Sequence, residues 1–161
     1  MKKSTLKNKI NKPKKNFFVE KLEQENYQFR NEINVNFKTG IKGQAQVKVI
    51  EENTAKIMKS GALPVFATPA MVALMEEASC MALKDYLEEG EGTVGIKLDI
   101  SHIAPTALDD VVTATATLDK IEGRKLTFIV EAKDTHKVIG KGIHERFIIN
   151  NEKFMNKLQK N

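Results

Sequence analysis

Between Thr68 and Gly90 the chain holds one long run of helix-forming residues, and the apolar residues on either side of it alternate instead. A single long helix among alternating segments restricts the fold sharply, because such a helix buries its apolar face only against a sheet. Thr68 is a good N-cap and Pro69 suits the first helical position, so the pair marks the helix start from two directions. A helix over residues 68–89 is expected, stopped by Gly90. At about 20 residues it would be roughly 30 Å long, a central element in so small a chain.

The flanking segments read as strands. Gln44 to Glu51 alternates with Ala45, Val47 and Val49 on one side. Val94, Ile96, Leu98, Ile100 and His102 share one face of a second segment, with Lys97, Asp99 and Ser101 opposite. Val112, Ala114, Ala116 and Leu118 form the third. Leu126, Phe128, Val130 and Ala132 form the fourth, after a tight turn at Glu122-Gly123-Arg124. A fifth runs from about Val138 to Ile149. Short connections favour an antiparallel meander. The expected architecture is α+β, an antiparallel β-sheet wrapped around one long central α-helix. Residues 1–36 form a lysine-rich extension expected to be mobile, 37–150 the folded domain, and 151–161 a polar C-terminal tail.

The net charge of +5 belongs to the extension rather than to the domain. Residues 1–21 hold eight lysines and one glutamate, a net of +7, which leaves −2 on the rest. Lysine tails bind nucleic acid or acidic lipid through counterion release. No aromatic or arginine pattern accompanies these lysines, so a solvated extension is expected and nucleic-acid binding is not. Cys80 is the only cysteine. It reads as a small buried side chain in a reducing compartment. No apolar run reaches membrane-spanning length, and the basic N-terminus lacks the apolar stretch of a secretory signal. A cytoplasmic location and no membrane contact are the expectation.

Several motif matches fail on context. Gly90-Glu91-Gly92-Thr93-Val94-Gly95 fits the G-x-G-x-x-G string, but it leaves a helix and enters a strand, the reverse of a dinucleotide site. Gly40-Ile41-Lys42-Gly43 resembles a KH-type loop without the two flanking helices. The three histidines lack metal-ligand spacing, so neither a metal nor another cofactor is expected.

Thr68, Glu76 and His102 remain. Glu76 shares its helical stripe with Val72, Cys80, Leu83 and Leu87, whereas Glu77, Lys84 and Glu88 make the coherent polar stripe. A carboxylate among apolar neighbours costs free energy unless it is paired or used. His102 ends an apolar strand face, and Thr68 stands at a helix mouth where backbone amides favour developing negative charge. A carboxylate and an imidazole brought together form an acid–base or nucleophile–base pair. Spacing alone leaves other readings open: an ion-paired Glu76, a hydrogen-bonded core His102, and a Thr68 that only caps its helix.

The string Val65-Phe66-Ala67-Thr68-Pro69-Ala70-Met71-Val72-Ala73-Leu74-Met75-Glu76 resembles the helix entry of the fluoroacetyl-CoA thioesterase family. Gly95, the segment Ser101 to Thr106, Gly123-Arg124 and the segment Ile139 to Phe147 match in the same order. The resemblance covers about Phe37 to Ile149. It implies a hotdog fold, a homodimer, and hydrolysis of a short or small acyl-CoA thioester to free acid and CoA. It assigns Thr68, Glu76 and His102 to catalysis and Gly95 and Arg146 to substrate binding. Whether Glu76 attacks the thioester or activates water stays open. The loop Lys59-Ser60-Gly61-Ala62-Leu63-Pro64 lacks the phenylalanines of the fluoroacetyl-specific lid, so the resemblance leaves open whether fluoroacetyl-CoA is a substrate. A non-catalytic acyl-CoA binding protein on the same fold is the alternative.

Overall fold

The computed structural model describes residues 38–159; the lysine-rich extension expected at 1–36 lies outside them. The elements run β1 (Lys42–Lys48), α1 (Thr68–Leu83), β2 (Glu91–His102), β3 (Val111–Glu122), β4 (Lys125–Lys133), β5 (Val138–Asn150) and α2 (Asn151–Leu158). The described residues belong to one unit spanning Asn34–Asn161. Among them, no helix is long and apolar enough to cross a membrane.

The five strands form one antiparallel sheet in the order β1-β3-β4-β5-β2. The expected meander holds for β3, β4 and β5, joined by tight turns such as the one at Gly123 (φ +65°). It does not extend to β2, which lies beyond β5 at the opposite edge from β1. The segment carrying α1 therefore connects the two edges and crosses one face of the sheet. Alternation puts Val112, Ala114, Ala116, Leu118, Leu126, Phe128 and Val130 under Met71, Leu74, Met75, Ala78 and Ala82 in one buried core. Gly43 lets β1 approach the helix closely, since a Cβ there would run into the backbone of Ala78 and Ala82.

The helix is shorter than expected. It ends at Leu83 instead of Glu89, and Lys84 and Tyr86 donate to carbonyls only three residues back, which tightens the chain out of the α-helical pattern. Gly90, with φ +81°, marks the start of β2 rather than the helix end. Cys80 is exposed, not buried. The physical reason is coverage: α1 packs over β1 and β3 and barely touches β2, so the helix flank bearing Ala73, Glu76, Cys80 and Met81 is left partly open. Within the segment read as a polar tail, α2 is capped by Asn150, whose side chain accepts from the Lys153 amide.

Candidate active site

The five residues singled out above gather where α1 faces β2 and β5, in two clusters. The first lies at the helix mouth. Ala67 has extended backbone and occupies the N-cap position, which moves Thr68 and Pro69 into the first turn. Thr68 therefore does not cap the helix, as sequence had suggested. Its hydroxyl is released to His102, with Thr68 Oγ1 2.8 Å from His102 Nδ1. The register supports this meeting. His102 is opposite Gly140, and a Cβ at Gly140 would collide with the Met71 sulfur, so a glycine there lets the first turn of α1 settle near His102. Burial holds the His102 imidazole below the ordinary histidine range, partly offset by the Ala104 backbone. Its Nε2 is buried and has no hydrogen-bond partner among the described residues. A neutral imidazole with one nitrogen held and the other unengaged can take or give a proton.

The second cluster surrounds Glu76. Its side chain is 38% exposed and so is not enclosed among apolar neighbours as the helical stripe suggested. Across from it, β2 carries a bulge: Gly95 pairs with Arg146 and Lys97 with Glu145, leaving Ile96 as the extra residue. This breaks the strict alternation expected from Val94 to His102. Residues opposite each other in a ladder share a face, so Gly95 and Leu98 fall on the side of Arg146 and His144. The bulge thus turns Gly95 toward the helix. A Cβ there would stand 2.6 Å from Glu76 Oε1, so only glycine leaves that carboxylate its place.

Arg146 is buried, and three of its hydrogen bonds go to the chain itself. Its Nε donates to Thr93 Oγ1 at 2.8 Å, Nη2 to Thr93 O at 2.9 Å, and Nη1 to His144 Nε2 at 3.0 Å. Nη1 also lies 3.8 Å from Glu76 Oε1. His144 was not singled out from sequence, yet it is fully buried, with Nε2 3.6 Å from Glu76 Oε1. The signal was present in the period of two that puts Gly140, Gly142, His144 and Arg146 on one strand face.

The clusters do not merge within one chain. Glu76 is eight residues along the helix from Thr68, a rise of about 12 Å. Thr68 contacts His102, whereas the ionisable neighbours of Glu76 are His144 and Arg146. The expected direct pairing of Glu76 with His102 is therefore not made in this chain.

Comparison with known proteins decides the family. The fluoroacetyl-CoA-specific thioesterase family matches residues 49–152, from the end of β1 into α2. The chain belongs to that family. Over 95 residues it is 46% identical to the fluoroacetyl-CoA thioesterase of Streptantibioticus cattleyicolor, covering 59% of this chain and 68% of that relative. The solved structure of the fluoroacetyl-CoA thioesterase FlK superposes with a TM-score of 0.73 at 36% identity, over 78% of this chain and 97% of that one. A hot-dog-like protein from Thermanaerovibrio acidaminovorans superposes at 0.71 with 27% identity, over 77% and 92%. The curled sheet around α1 is accordingly the hotdog-like thioesterase fold, and this member of the family is an acyl-CoA thioester hydrolase.

Proposed function

We propose that the chain hydrolyses short acyl-CoA thioesters where α1 faces β2 and β5. Glu76 supplies the carboxylate, His102 moves the proton, and Thr68 holds the imidazole. The observation that carries this reading is the Thr68–His102 hydrogen bond, with His102 Nε2 left without a partner among the described residues and the partly exposed Glu76 carboxylate on the same helix as Thr68. Glu76 either attacks the thioester carbonyl carbon or deprotonates the water that does. In both cases the carbon–sulfur bond breaks and CoA leaves as the thiolate. On the first route His102 takes a proton from the water that cleaves the resulting anhydride; on the second it receives the proton that Glu76 drew from water. The imidazolium so formed then protonates the thiolate. Gly95 gives the acyl group room beside Glu76, and Arg146 supports the negative charge of that carboxylate. The loop of residues 59–64 carries Leu63 as its one large apolar side chain, 65% exposed. A short acyl group in general, with fluoroacetyl as one instance, is the substrate class this supports.

The complete site belongs to a homodimer. Two surfaces are open among the described residues: the outer edge of the 12-residue strand β2, and the flank of α1 with Met81 47% exposed. An unpaired strand of this length invites a partner, and a twofold axis supplies an identical one. In an antiparallel β2–β2 pair each His102 runs back along its mate toward the Gly95 end, beside the mate's Glu76. Analytical ultracentrifugation at micromolar concentration should show a dimer, and a monomer there would refute this assembly.

The functional test is a comparison of neighbours. Glu76→Gln should fold normally and lose at least about 10²-fold in CoA release from acetyl-CoA, as removal of a nucleophile or base does. Glu77→Gln, on the exposed polar stripe, should retain turnover. Equal turnover by the two variants would make Glu76 structural.

A further inference from the structure

His144 has both ring nitrogens engaged, and together these contacts define its protonation state. Nδ1 lies 2.9 Å from Lys97 O, which only accepts, so Nδ1 carries the hydrogen. Nε2 is then the lone-pair nitrogen, and it receives Arg146 Nη1–H at 3.0 Å. A protonated ring would set an Nε2–H against that guanidinium N–H. Burial holds the imidazole below the ordinary histidine range, and the Arg146 charge acts in the same direction. The contact with Glu76 is therefore not an ion pair with His144, although the two are 3.6 Å apart. The cation that Glu76 faces is Arg146.

That cation is fixed at three points, by Thr93 Oγ1, Thr93 O and His144 Nε2, and it stops 3.8 Å from Glu76 Oε1. A charge-assisted hydrogen bond would close to about 2.8 Å. At the longer distance the guanidinium faces the carboxylate without tying up the oxygen's lone pair in a direct bond. The bulge contributes as well, because the carbonyl that sets the ring tautomer belongs to Lys97, the residue just after it. Groups facing the ring from other elements are Glu76 on α1 and the Lys97 carbonyl on β2; Glu145 and Arg146 flank it on β5.

We propose that His144 is a positioning residue for Glu76: as an Nδ1–H imidazole it holds Arg146 at a distance that leaves the Glu76 oxygen free to react. This rests on Glu76 being the catalytic carboxylate. The test uses the full-length chain with acetyl-CoA, with kcat and KM measured for wild type, His144→Asn, His144→Gln and Glu76→Gln. The glutamine amide oxygen reaches about as far as Nε2 and can accept from Arg146. The asparagine amide ends near Nδ1 and can serve only Lys97. His144→Asn should lose about 10- to 100-fold in kcat, the scale of a misplaced catalytic group, with KM little changed. His144→Gln should recover most of that loss. Equal kcat in the two His144 variants, or a loss confined to KM, would overturn the proposal. Should His144→Asn fail to fold, imidazole 15N shifts of wild type decide: the neutral Nδ1–H form is expected at neutral pH, and an Nε2–H form or an imidazolium refutes it. The underlying reading fails separately, if Glu76→Gln keeps wild-type turnover; loss of activity in Glu76→Gln with a wild-type-like His144→Asn removes only the positioning role.

Discussion

His102 and His144 lie on neighbouring strands, both with burial lowering their affinity for a proton, and yet their surroundings differ in kind. His144 is enclosed, with a carbonyl on one nitrogen and a guanidinium on the other. His102 is held at Nδ1 alone, by a hydroxyl that can either donate or accept, and its Nε2 has no partner among the described residues. A fully satisfied imidazole is locked in one tautomer and serves as a support. A half-satisfied one can change tautomer and exchange a proton with a substrate. Similar shifts in proton affinity therefore arise at a supporting residue and at a reacting one, and the hydrogen-bond inventory separates them.

The largest expected effect tests this contrast directly. His102→Gln should lower kcat by about 10²-fold or more, because no amide can exchange a proton as imidazole does. His144→Gln should stay close to wild type. If glutamine rescues both positions equally, His102 is a hydrogen-bonding residue and not the proton carrier. Steady-state CoA release under identical conditions is sufficient to decide.

A smaller effect separates rate from stability at two glycines. A Cβ at Gly95 would lie 2.6 Å from Glu76 Oε1 and 3.1 Å from His144 Cε1. The glutamate is the movable end of a flexible side chain, so Gly95→Ala should fold and displace the carboxylate. About a 10-fold loss of kcat is expected, the lower part of the range for misplaced groups. A Cβ at Gly43 would instead meet helix backbone at Ala78 and Ala82, which has no such freedom. Gly43→Ala should therefore cost about 1–3 kcal/mol of stability, the usual scale of overpacking. Thermal melts beside kinetics check both, and an unstable Gly95→Ala with normal kcat would reverse the assignment.

These contrasts also show what sequence could and could not convey. Strand alternation and the Thr68-Pro69 signal located α1 and all five strands, because burial on one face writes itself into period-two and helical patterns. Three local features escaped. The bulge at Ile96 adds a residue without altering the apolar composition, so Gly95 was legible as a family match but not as an inward-facing position. Thr68 looked like a cap because threonine favours that place, whereas Ala67 occupies it. Cys80 read as core because the stripe says which residues are apolar and not which flank the sheet covers. His144 was passed over since its meaning comes from Lys97, Arg146 and Glu76, drawn from three separate elements.

The smallest expected effect concerns pH and acts on stability. Both imidazoles have folded-state proton affinities below the ordinary value of 6.5, so below that pH the unfolded chain binds protons more readily than the folded one. Their contribution is complete above pH 6.5 and is lost as pH falls from there through the lowered folded values. Carboxylates act later on the way down: Asp110 is pulled below its ordinary 3.8 chiefly by Thr135, and Glu122 below 4.5 chiefly by Lys125. Denaturant unfolding should therefore show a decline that begins as pH falls below about 6.5, ahead of the carboxylates, and belongs mainly to the histidines. His144→Gln should flatten this decline more than His102→Gln, because His144 is the fully enclosed ring and has no solvent to help it accept a charge. A slope that survives both substitutions would place the titrating group elsewhere and leave the two imidazoles indistinguishable by burial.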